Sequence, residues 1–257
     1  DIDNWEAAVR PNTKMLYLET PTNPQLELID LEKAGKIAKK YNIIFNVDNC
    51  FATPFLQSPA DFGADLVIHS ATKWIDGQGR VLGGVIAGRK ELIDQVYLFC
   101  RNSGPTLSAF NAWVLTKSLE TLEVRIHRHS ENALKVALAL EKNKNIEWVK
   151  YPFLPSHPQY EIAKKQMTGG GGIVCFEIKG GVDAGRKFMD ALELLSLTPN
   201  LGDSRSIASH PASTTHSKLN DEERSKVGIT PGLIRISVGL EHPDDVVYDI
   251  EQALSKI

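Results

Sequence analysis

The sequence is poor in cysteine, carries little net charge and lacks long apolar runs. Its three cysteines, Cys50, Cys100 and Cys175, are odd in number and widely spaced among the 257 residues. A disulfide framework and a paired-cysteine metal site are therefore not expected, whereas reduced thiols of a cytoplasmic protein are. Lys and Arg number 29 against 32 Asp and Glu, which argues against nucleic acid or an anionic membrane as a partner. The longest apolar stretches have the length of strands, so no membrane span is expected.

In its first half the sequence alternates between strand-like and helical segments. Apolar runs predict strands over residues 14–19, 43–48, 65–70 and 83–88. Between the first two, apolar residues recur at helical spacing from Leu31 to Tyr41. Such alternation is typical of an α/β fold with a mostly parallel sheet.

The second half has a different rhythm. Residues 107 to about 140 predict one long helix, kinked around the polar run at residues 125–130. Beyond it, IEWVKY, GIVCFEI and LIRISVGL predict strands, interleaved with helices near residues 158–167, 183–194 and 243–255. This pattern predicts an α+β unit with its own sheet. We therefore expect a large domain over residues 1–123 and a small C-terminal domain over residues 124–257.

Polar side chains cluster where three of the predicted strands end. The segments concerned are residues 19–24, 48–49 and 69–73. Because the carboxyl ends of parallel strands meet at one edge of a sheet, these groups are expected to converge there.

Lys73, preceded by Ser70 and Thr72, has the neighbours that a pyridoxal-phosphate (PLP) site needs. A lysine just past a strand can form a Schiff base, and the two hydroxyls can hold an anion. Asp48, at the end of the neighbouring strand, can pair with a protonated ring nitrogen, as PLP requires of its protein. Each residue by itself is more often a cap, turn or surface residue. Their order on adjacent strands favours the site.

Longer motifs resemble one enzyme family. GADLVIHSATKWIDGQGRVLGG is similar to the lysine-bearing motif of the Cys/Met-metabolism PLP enzymes. YLETPTNP, FNVDNCFATPFLQSP, NLGDSRSIASHPASTTH and PGLIRISVGLEHPDDVVYDIEQAL match the same family in order. That family includes cystathionine synthases and lyases, methionine gamma-lyase and the homoserine-ester sulfhydrylases. The resemblance extends over essentially the whole chain. It implies PLP-dependent transferase fold type I, with a mostly parallel large domain and an α+β C-terminal domain.

The resemblance also implies roles for individual residues. Those expected to hold PLP are Lys73 through a Schiff base, Asp48 at the pyridine nitrogen, Ser70 and Thr72 at the phosphate, and Asn23 near the phenolic oxygen. Those expected at an amino-acid substrate are Arg235, as a clamp for its carboxylate, and Asn200, Leu201 and Gly202 in the pocket. Lys73 is the expected catalytic residue, because its freed amine would move protons.

Within the family, two features favour a sulfhydrylase. Residues 76–80, DGQGR, resemble the enzymes that act on O-succinylhomoserine. Asn200 stands where the lyases and gamma-synthases have serine, which counts against a plain lyase. The expected reaction is a gamma-replacement with sulfide that gives homocysteine. Alternatives are O-acetylhomoserine sulfhydrylase, cystathionine gamma-synthase or methionine gamma-lyase activity and, further off, an aminotransferase of the same fold type.

The family pattern begins upstream of Asp1, so the chain is expected to lack the N-terminal third of that pattern. An arm, part of the phosphate site and an aromatic that stacks on the ring would be missing. The chain by itself is therefore expected to hold PLP poorly and to turn over little. An inactive fragment or an assembly module is the non-enzyme alternative. The resemblance further implies a homo-oligomer, a dimer of dimers.

Two groups that resemble reactive sites have simpler explanations. His210 and His216 beside Asp203 match no common zinc spacing, so no metal is expected. Cys50 is expected to be a small buried residue rather than a nucleophile.

Two polar or flexible stretches are interpreted structurally. His127 and His129 are expected on a solvated or interface face of the long helix. The four glycines at residues 169–172 predict a flexible turn entering a strand, in preference to a phosphate cradle.

Overall fold

The computed structural model describes residues 2–214, 218–226 and 228–257. Its strands are β1 (Met15–Glu19), β2 (Ile44–Asp48), β3 (Leu66–Ser70), β4 (Gly84–Gly88), β5 (Ile146–Lys150), β6 (Ile173–Ile178), β7 (Ser196–Leu197), β8 (Ile207–Ser209) and β9 (Leu233–Ser237). Its helices are α1 (Trp5–Ala8), α2 (Leu31–Tyr41), α3 (Thr53–Leu56), α4 (Lys90–Ser103), α5 (Ala109–Leu119), α6 (Leu122–Leu140), α7 (Tyr160–Gln166), α8 (Gly181–Ala191), α9 (Asp221–Lys226) and α10 (Pro243–Leu254). The four strands predicted for the first half are confirmed, each starting one residue later than expected.

The first sheet has the order β1-β2-β3-β4, in which β1, β2 and β3 are parallel and β4 is antiparallel to β3. Alternate side chains of a strand face opposite sides, and Leu18, Phe45 and Val47 are buried against α2. The register places Glu19 of β1 opposite Asp48 of β2. The predicted mostly parallel sheet is therefore confirmed, and the carboxyl ends of its parallel strands lie at one edge.

The ends of α2 follow from local sequence. The Asp30 carboxylate accepts a hydrogen bond from the main-chain N–H of Lys33 at 3.1 Å, which caps the first turn. The helix stops at Asn42, whose φ of 51° lies in the left-handed region that asparagine tolerates. The stop at Asn42 leaves one residue before β2 begins at Ile44.

The second sheet has the order β5-β6-β9-β8-β7 and is antiparallel except between β7 and β8. Helices α6, α8 and α10 bury apolar residues against it. Phe176 of β6 and Phe188 of α8 meet edge to face with ring centroids 5.8 Å apart. This arrangement is the α+β pattern predicted for the second half.

The two sheets lie on either side of the predicted domain boundary. The first sheet ends before residue 123 and the second begins after residue 124, with α6 starting at Leu122. The division into residues 1–123 and 124–257 stays a prediction. Among the described residues, no helix combines the length and the apolar character that a membrane span requires.

The prediction of a single long helix over residues 107–140, kinked at residues 125–130, is wrong in one respect, because the helix is interrupted at a different place. The break falls at Glu120 and Thr121, between α5 and α6, and the polar run 125–130 stays helical. Thr121 has φ −115° and ψ 1°, which interrupts the helical ladder. Arg125 lies within α6, and its buried guanidinium donates hydrogen bonds to the carbonyl oxygens of Trp74, Ile75 and Ser118.

His129 is also not on a solvated face, although His127 is exposed as expected. The His129 side chain is fully buried, its Nδ1 lies 2.7 Å from the carbonyl oxygen of Val238, and its ring meets Trp74 edge to face at 4.8 Å. Burial lowers the pKa of His129 to about 4, so the ring is neutral at physiological pH. The helix thus turns this polar residue toward the core, against the ring of Trp74.

The glycine run enters β6 as predicted, and it is also needed for close packing. A Cβ on Gly172 would lie 2.4 Å from a ring carbon of Trp74, and one on Gly170 would lie 2.3 Å from the Tyr151 ring. Both rings are fully buried in the core.

We expect Gly172→Ala to destabilise the chain by about 1–3 kcal/mol, as overpacking of a filled core does. Chemical denaturation followed by tryptophan fluorescence measures the change. Gly84→Ala is the matched control, because the nearest atom to its added Cβ is 3.8 Å away. Equal midpoints for the two variants would contradict this packing account.

Candidate active site

Three parallel strands bring acidic and hydroxyl side chains to one edge of the first sheet. Glu19 ends β1, Asp48 ends β2 and Ser70 ends β3. Adjacent registers pair Glu19 with Asp48 and Asp48 with Ile68. The convergence predicted from the sequence is therefore present in the fold.

Lys73 lies in the helical turn from Ala71 to Ile75 that follows β3 directly. Its own backbone is non-helical, with φ −89° and ψ −122°. Its half-buried amine donates a hydrogen bond to Oδ1 of Asn200 at 2.5 Å. Burial and the nearby charge of Arg235 lower the pKa of Lys73. This amine therefore loses its proton more readily than that of an exposed lysine.

The segment that carries Asn200 packs directly against the main chain of Lys73. Gly202 has φ +79°, and a Cβ there would lie 2.7 Å from the Trp74 nitrogen and 2.8 Å from the Lys73 carbonyl carbon. Its N–H donates to Oγ of Ser237 at 2.9 Å. No role was predicted for Ser237, although its position two residues after Arg235 on one strand puts both on the same face.

Arg235 is a buried cation that forms hydrogen bonds but no ion pair with any residue that the structure describes. Its side chain is 3% exposed. Nη1 donates to Oδ1 of Asn23 at 2.9 Å, and Nη2 donates to the carbonyl oxygens of Pro199 at 2.8 Å and Asn200 at 3.1 Å. Nε has no partner among the described residues. Because a buried cation is unfavourable without a compensating anion, this guanidinium is suited to an anionic ligand.

Asp48 and Glu19 form an acidic pair on neighbouring strands. Asp48 Oδ1 accepts from the Cys50 N–H at 3.0 Å, and within the described ranges Asp48 has no ion-pair partner. Burial and, second, the charge of Asp48 raise the pKa of Glu19 to about 7. Although Glu19 stood among the predicted strand-end groups, its raised pKa follows from the strand pairing, which the sequence does not show. The pair favours a cationic group at this edge.

Ser70 and Thr72 differ in what their hydroxyls contact. Thr72 Oγ1 accepts from the N–H of Gly83 at 3.1 Å, so it holds the chain just before β4. The Ser70 hydroxyl bonds to no other described residue. Leu201, predicted in the substrate pocket, has its side chain buried in the core cluster with Trp74.

The other reactive-looking groups do not add to this site. Cys50 is buried as expected, and burial and the charge of Asp48 raise its pKa to about 12, which disfavours the reactive thiolate form. His210 is bonded through Nδ1 to Oγ of Ser213 and through Nε2 to the carbonyl oxygen of Pro231, each at 2.8 Å. No metal-type cluster occurs in the part of the chain that the structure describes, and His216 lies outside it.

Comparison with known families decides the affiliation. The sequence pattern of the Cys/Met metabolism PLP-dependent enzymes matches residues 1–255. The chain belongs to this family. The family's cofactor is PLP, as the strand-end residues predicted.

Several members of the family are similar over the full chain. O-succinylhomoserine sulfhydrylase from Pseudomonas aeruginosa is 50% identical, with 100% of this chain and 64% of that protein covered. L-methionine gamma-lyase from Fusobacterium nucleatum is 45% identical, with 100% and 66% covered. The crystal structure of metB from Corynebacterium glutamicum has a TM-score of 0.94 at 38% identity, with 99% of this chain and 66% of that chain covered. The chain thus spans 64% of the length of the sulfhydrylase that it matches, and fold type I is confirmed.

The residues at this edge fit the family's cofactor. Lys73 offers a half-buried amine with a lowered pKa, and Asp48 offers a carboxylate without an ion-pair partner in the described ranges. Arg235 offers a buried guanidinium with an unsatisfied Nε. An aldehyde, a protonated ring nitrogen and an amino-acid carboxylate are the groups that these three side chains would bind.

Proposed function

We propose that the chain catalyses a PLP-dependent gamma-replacement on an activated homoserine ester, with O-succinylhomoserine favoured. Sulfide would displace the ester group at Cγ to give homocysteine and the free acid. The observation that carries the proposal is that Asn200 accepts hydrogen bonds from both the Lys73 amine and the Arg235 guanidinium, which has no ion-pair partner among the described residues. Three relatives named O-succinylhomoserine sulfhydrylases, one 50% and two 44% identical, support the choice of ester.

The proposed roles are those that the resemblance to the family implies. The residues proposed to hold PLP are Lys73 by a covalent bond, Asp48 at the ring nitrogen, Ser70 and Thr72 at the phosphate, and Asn23 at the phenolic oxygen. The residues proposed at the substrate are Arg235 at the carboxylate and Asn200, Leu201 and Gly202 in the pocket.

The chemistry of the chain's own residues is the binding of a carboxylate and the movement of a proton. PLP, when bound, draws electron density from the substrate carbons next to the amino group and so makes their C–H bonds acidic. The freed Lys73 amine can take the proton from Cα only when neutral, and burial lowers its pKa in that direction. Arg235 would hold the carboxylate so that the Cα–H bond faces this amine.

Methionine gamma-lyase activity is the second candidate, because relatives with that name are 44–45% identical over nearly the whole chain. It differs from the first in producing no new bond from Cγ to sulfur. O-acetylhomoserine sulfhydrylase and cystathionine gamma-synthase reactions would use the same residues with another ester or with cysteine as the nucleophile. An inactive assembly module is the non-enzyme alternative.

We further propose a homo-oligomer, a dimer of dimers, that works in the cytoplasm. Large aromatic side chains on α4 and α5 are exposed and could be covered by another copy: Tyr97, Phe99, Phe110 and Trp113 are 57–69% exposed. The three cysteines are free thiols, which suits a reducing compartment.

We expect the chain, loaded with PLP, to form homocysteine from O-succinylhomoserine and sulfide faster than it forms 2-oxobutanoate from methionine. Chromatography of the products with sulfide, cysteine or no nucleophile separates replacement from elimination. The Pseudomonas aeruginosa sulfhydrylase is the positive control. If 2-oxobutanoate dominates, the lyase proposal replaces this one, and a chain that retains PLP without any turnover would favour the assembly module.

A further inference from the structure

Asn200 connects the two cationic side chains of the site. Its side-chain oxygen accepts from Nζ of Lys73 at 2.5 Å, and its main-chain oxygen accepts from Nη2 of Arg235 at 3.1 Å. No other residue in the described ranges bonds to both side chains. Asn200 is therefore the described residue through which hydrogen bonds connect the amine to the guanidinium.

The segment around Asn200 is held firmly enough to act in this way. On one side, the carbonyl oxygen of Pro199 accepts from Arg235 at 2.8 Å. On the other, Gly202 donates to Ser237 at 2.9 Å and lies against the main chain of Lys73. Arg235 and Ser237 both belong to β9, a fully buried strand. The Asn200 amide is thus anchored by the second sheet while it reaches the lysine that follows the first.

The amide is chemically different from a carboxylate at this place. An amide oxygen accepts a hydrogen bond from the amine in either protonation state but carries no charge. A carboxylate would favour the ammonium form and raise the pKa of Lys73. The charged or titratable groups that the structure places against this amine are Arg235 and Cys50. The Cys50 thiol, with a pKa of about 12, is neutral at physiological pH.

We propose that Asn200 is a positioning residue for Lys73, whose uncharged amide oxygen holds the amine beside Arg235 while leaving it free to give up its proton. This inference rests on the proposed function and deepens it, since it names the residue that sets the distance between the proton-accepting amine and the carboxylate clamp. The side chain of Asn200 acts on the amine, and its main chain acts on the guanidinium. Substitution of the side chain therefore separates the two tasks.

The first test reads the amine in the cofactor-free chain. Competitive acylation with acetic anhydride from pH 6 to pH 10, quantified by mass spectrometry, gives the reactivity of Lys73 relative to that of the exposed Lys142. Asn200→Asp should raise the midpoint by about one pH unit and slow acylation at pH 8 roughly tenfold. Asn200→Ala removes an acceptor from the charged form, so acylation at pH 8 should be about threefold faster.

Asn143→Asp is the matched control for the added charge. Asn143 lies beyond the far end of α6, a helix whose first turn contacts Trp74 and whose 19 residues span roughly 28 Å. The acylation curve of Lys73 in the Asn143→Asp variant should superimpose on that of the parent chain. The proposal is overturned if the Asn200→Asp and Asn200→Ala curves also superimpose on the parent, or if Asn143→Asp shifts as far as Asn200→Asp.

A second readout uses the PLP-loaded chain. In Asn200→Asp, the rate at which the substrate Cα proton exchanges with deuterium oxide should fall by a larger factor than the KM for the amino acid rises. The KM should change less because the main-chain bond to Arg235 remains. The pH at which exchange reaches half its maximum should rise by the same one unit, about the shift expected for the amine. If the PLP-loaded parent chain converts no homoserine ester, the proposed function fails, while the acylation curves still decide the role of Asn200.

Discussion

Replacing Lys73 by alanine is expected to remove both the covalent hold on PLP and all measurable turnover. The amine follows β3 directly, is half-buried and has a pKa lowered by burial, which suits an amine that must act as nucleophile and base. Loss of the base alone costs about 10²–10⁴-fold in rate. Loss of the covalent bond removes in addition the means of keeping PLP in place.

Borohydride treatment of the PLP-loaded chain, followed by intact mass and peptide mapping, measures the covalent bond. The parent chain should carry one reduced PLP on the peptide that contains Lys73, and Lys73→Ala should carry none. Lys73→Arg keeps the positive charge without a nucleophilic amine and should behave as Lys73→Ala does. Lys142→Ala changes an exposed lysine and should behave as the parent does. If the Lys73→Ala chain carried as much reduced PLP as the parent chain, Lys73 would not be the residue that binds the cofactor.

Much of the first sheet was predictable because its strands are short apolar runs separated by turn residues. Three neighbouring parallel strands place their last residues at one edge of the sheet, so Asp48 and Ser70 could be assigned to one site from the sequence alone. The motif around Lys73 then indicated which chemistry that edge serves. This part of the prediction needed only local patterns and one topological rule.

The contacts that complete the site were not predictable in the same way, because they join distant parts of the chain. The bond between Lys73 and Asn200 spans 127 residues in sequence, and that between Arg235 and Asn23 spans 212. Apolar periodicity carries no information about such pairs. The resemblance supplied the names of these residues, but the hydrogen bonds of Asn200 to both cations came from the structure.

The prediction of a kink at residues 125–130, in place of the break between α5 and α6, failed for a related reason. The run at residues 125–130 is polar, and polarity in a helical pattern suggests exposure or a kink. Arg125 and His129 are nevertheless buried, because carbonyl oxygens of the turn after Lys73 and of Val238 satisfy them. Partners that come from other elements made these two residues core residues, and no window of sequence contains those partners.

Arg235→Ala is expected to weaken binding of the amino-acid substrate far more than it affects the covalent bond to PLP. Removing one partner of a buried charged hydrogen bond costs about 2–4 kcal/mol, which corresponds to roughly 30- to 1000-fold in the dissociation constant. Titration of O-succinylhomoserine against the absorbance of the PLP-loaded chain measures this constant. Arg235→Lys keeps the charge but not the planar group of donors, so it should lie between the parent and Arg235→Ala.

The bonds of Arg235 to Asn23, Pro199 and Asn200 make a structural loss the main competing explanation. Pro199→Ala provides the comparison, because it keeps the main-chain oxygen that accepts from Arg235 and changes only the ring beside it. Thermal unfolding of all variants separates loss of the fold from loss of the clamp. A carboxylate clamp predicts that homoserine esters and methionine lose affinity together in Arg235→Ala, whereas amines without a carboxylate bind as before. Equal losses for ligands with and without the carboxylate would show that Arg235 supports the fold of the pocket rather than the substrate.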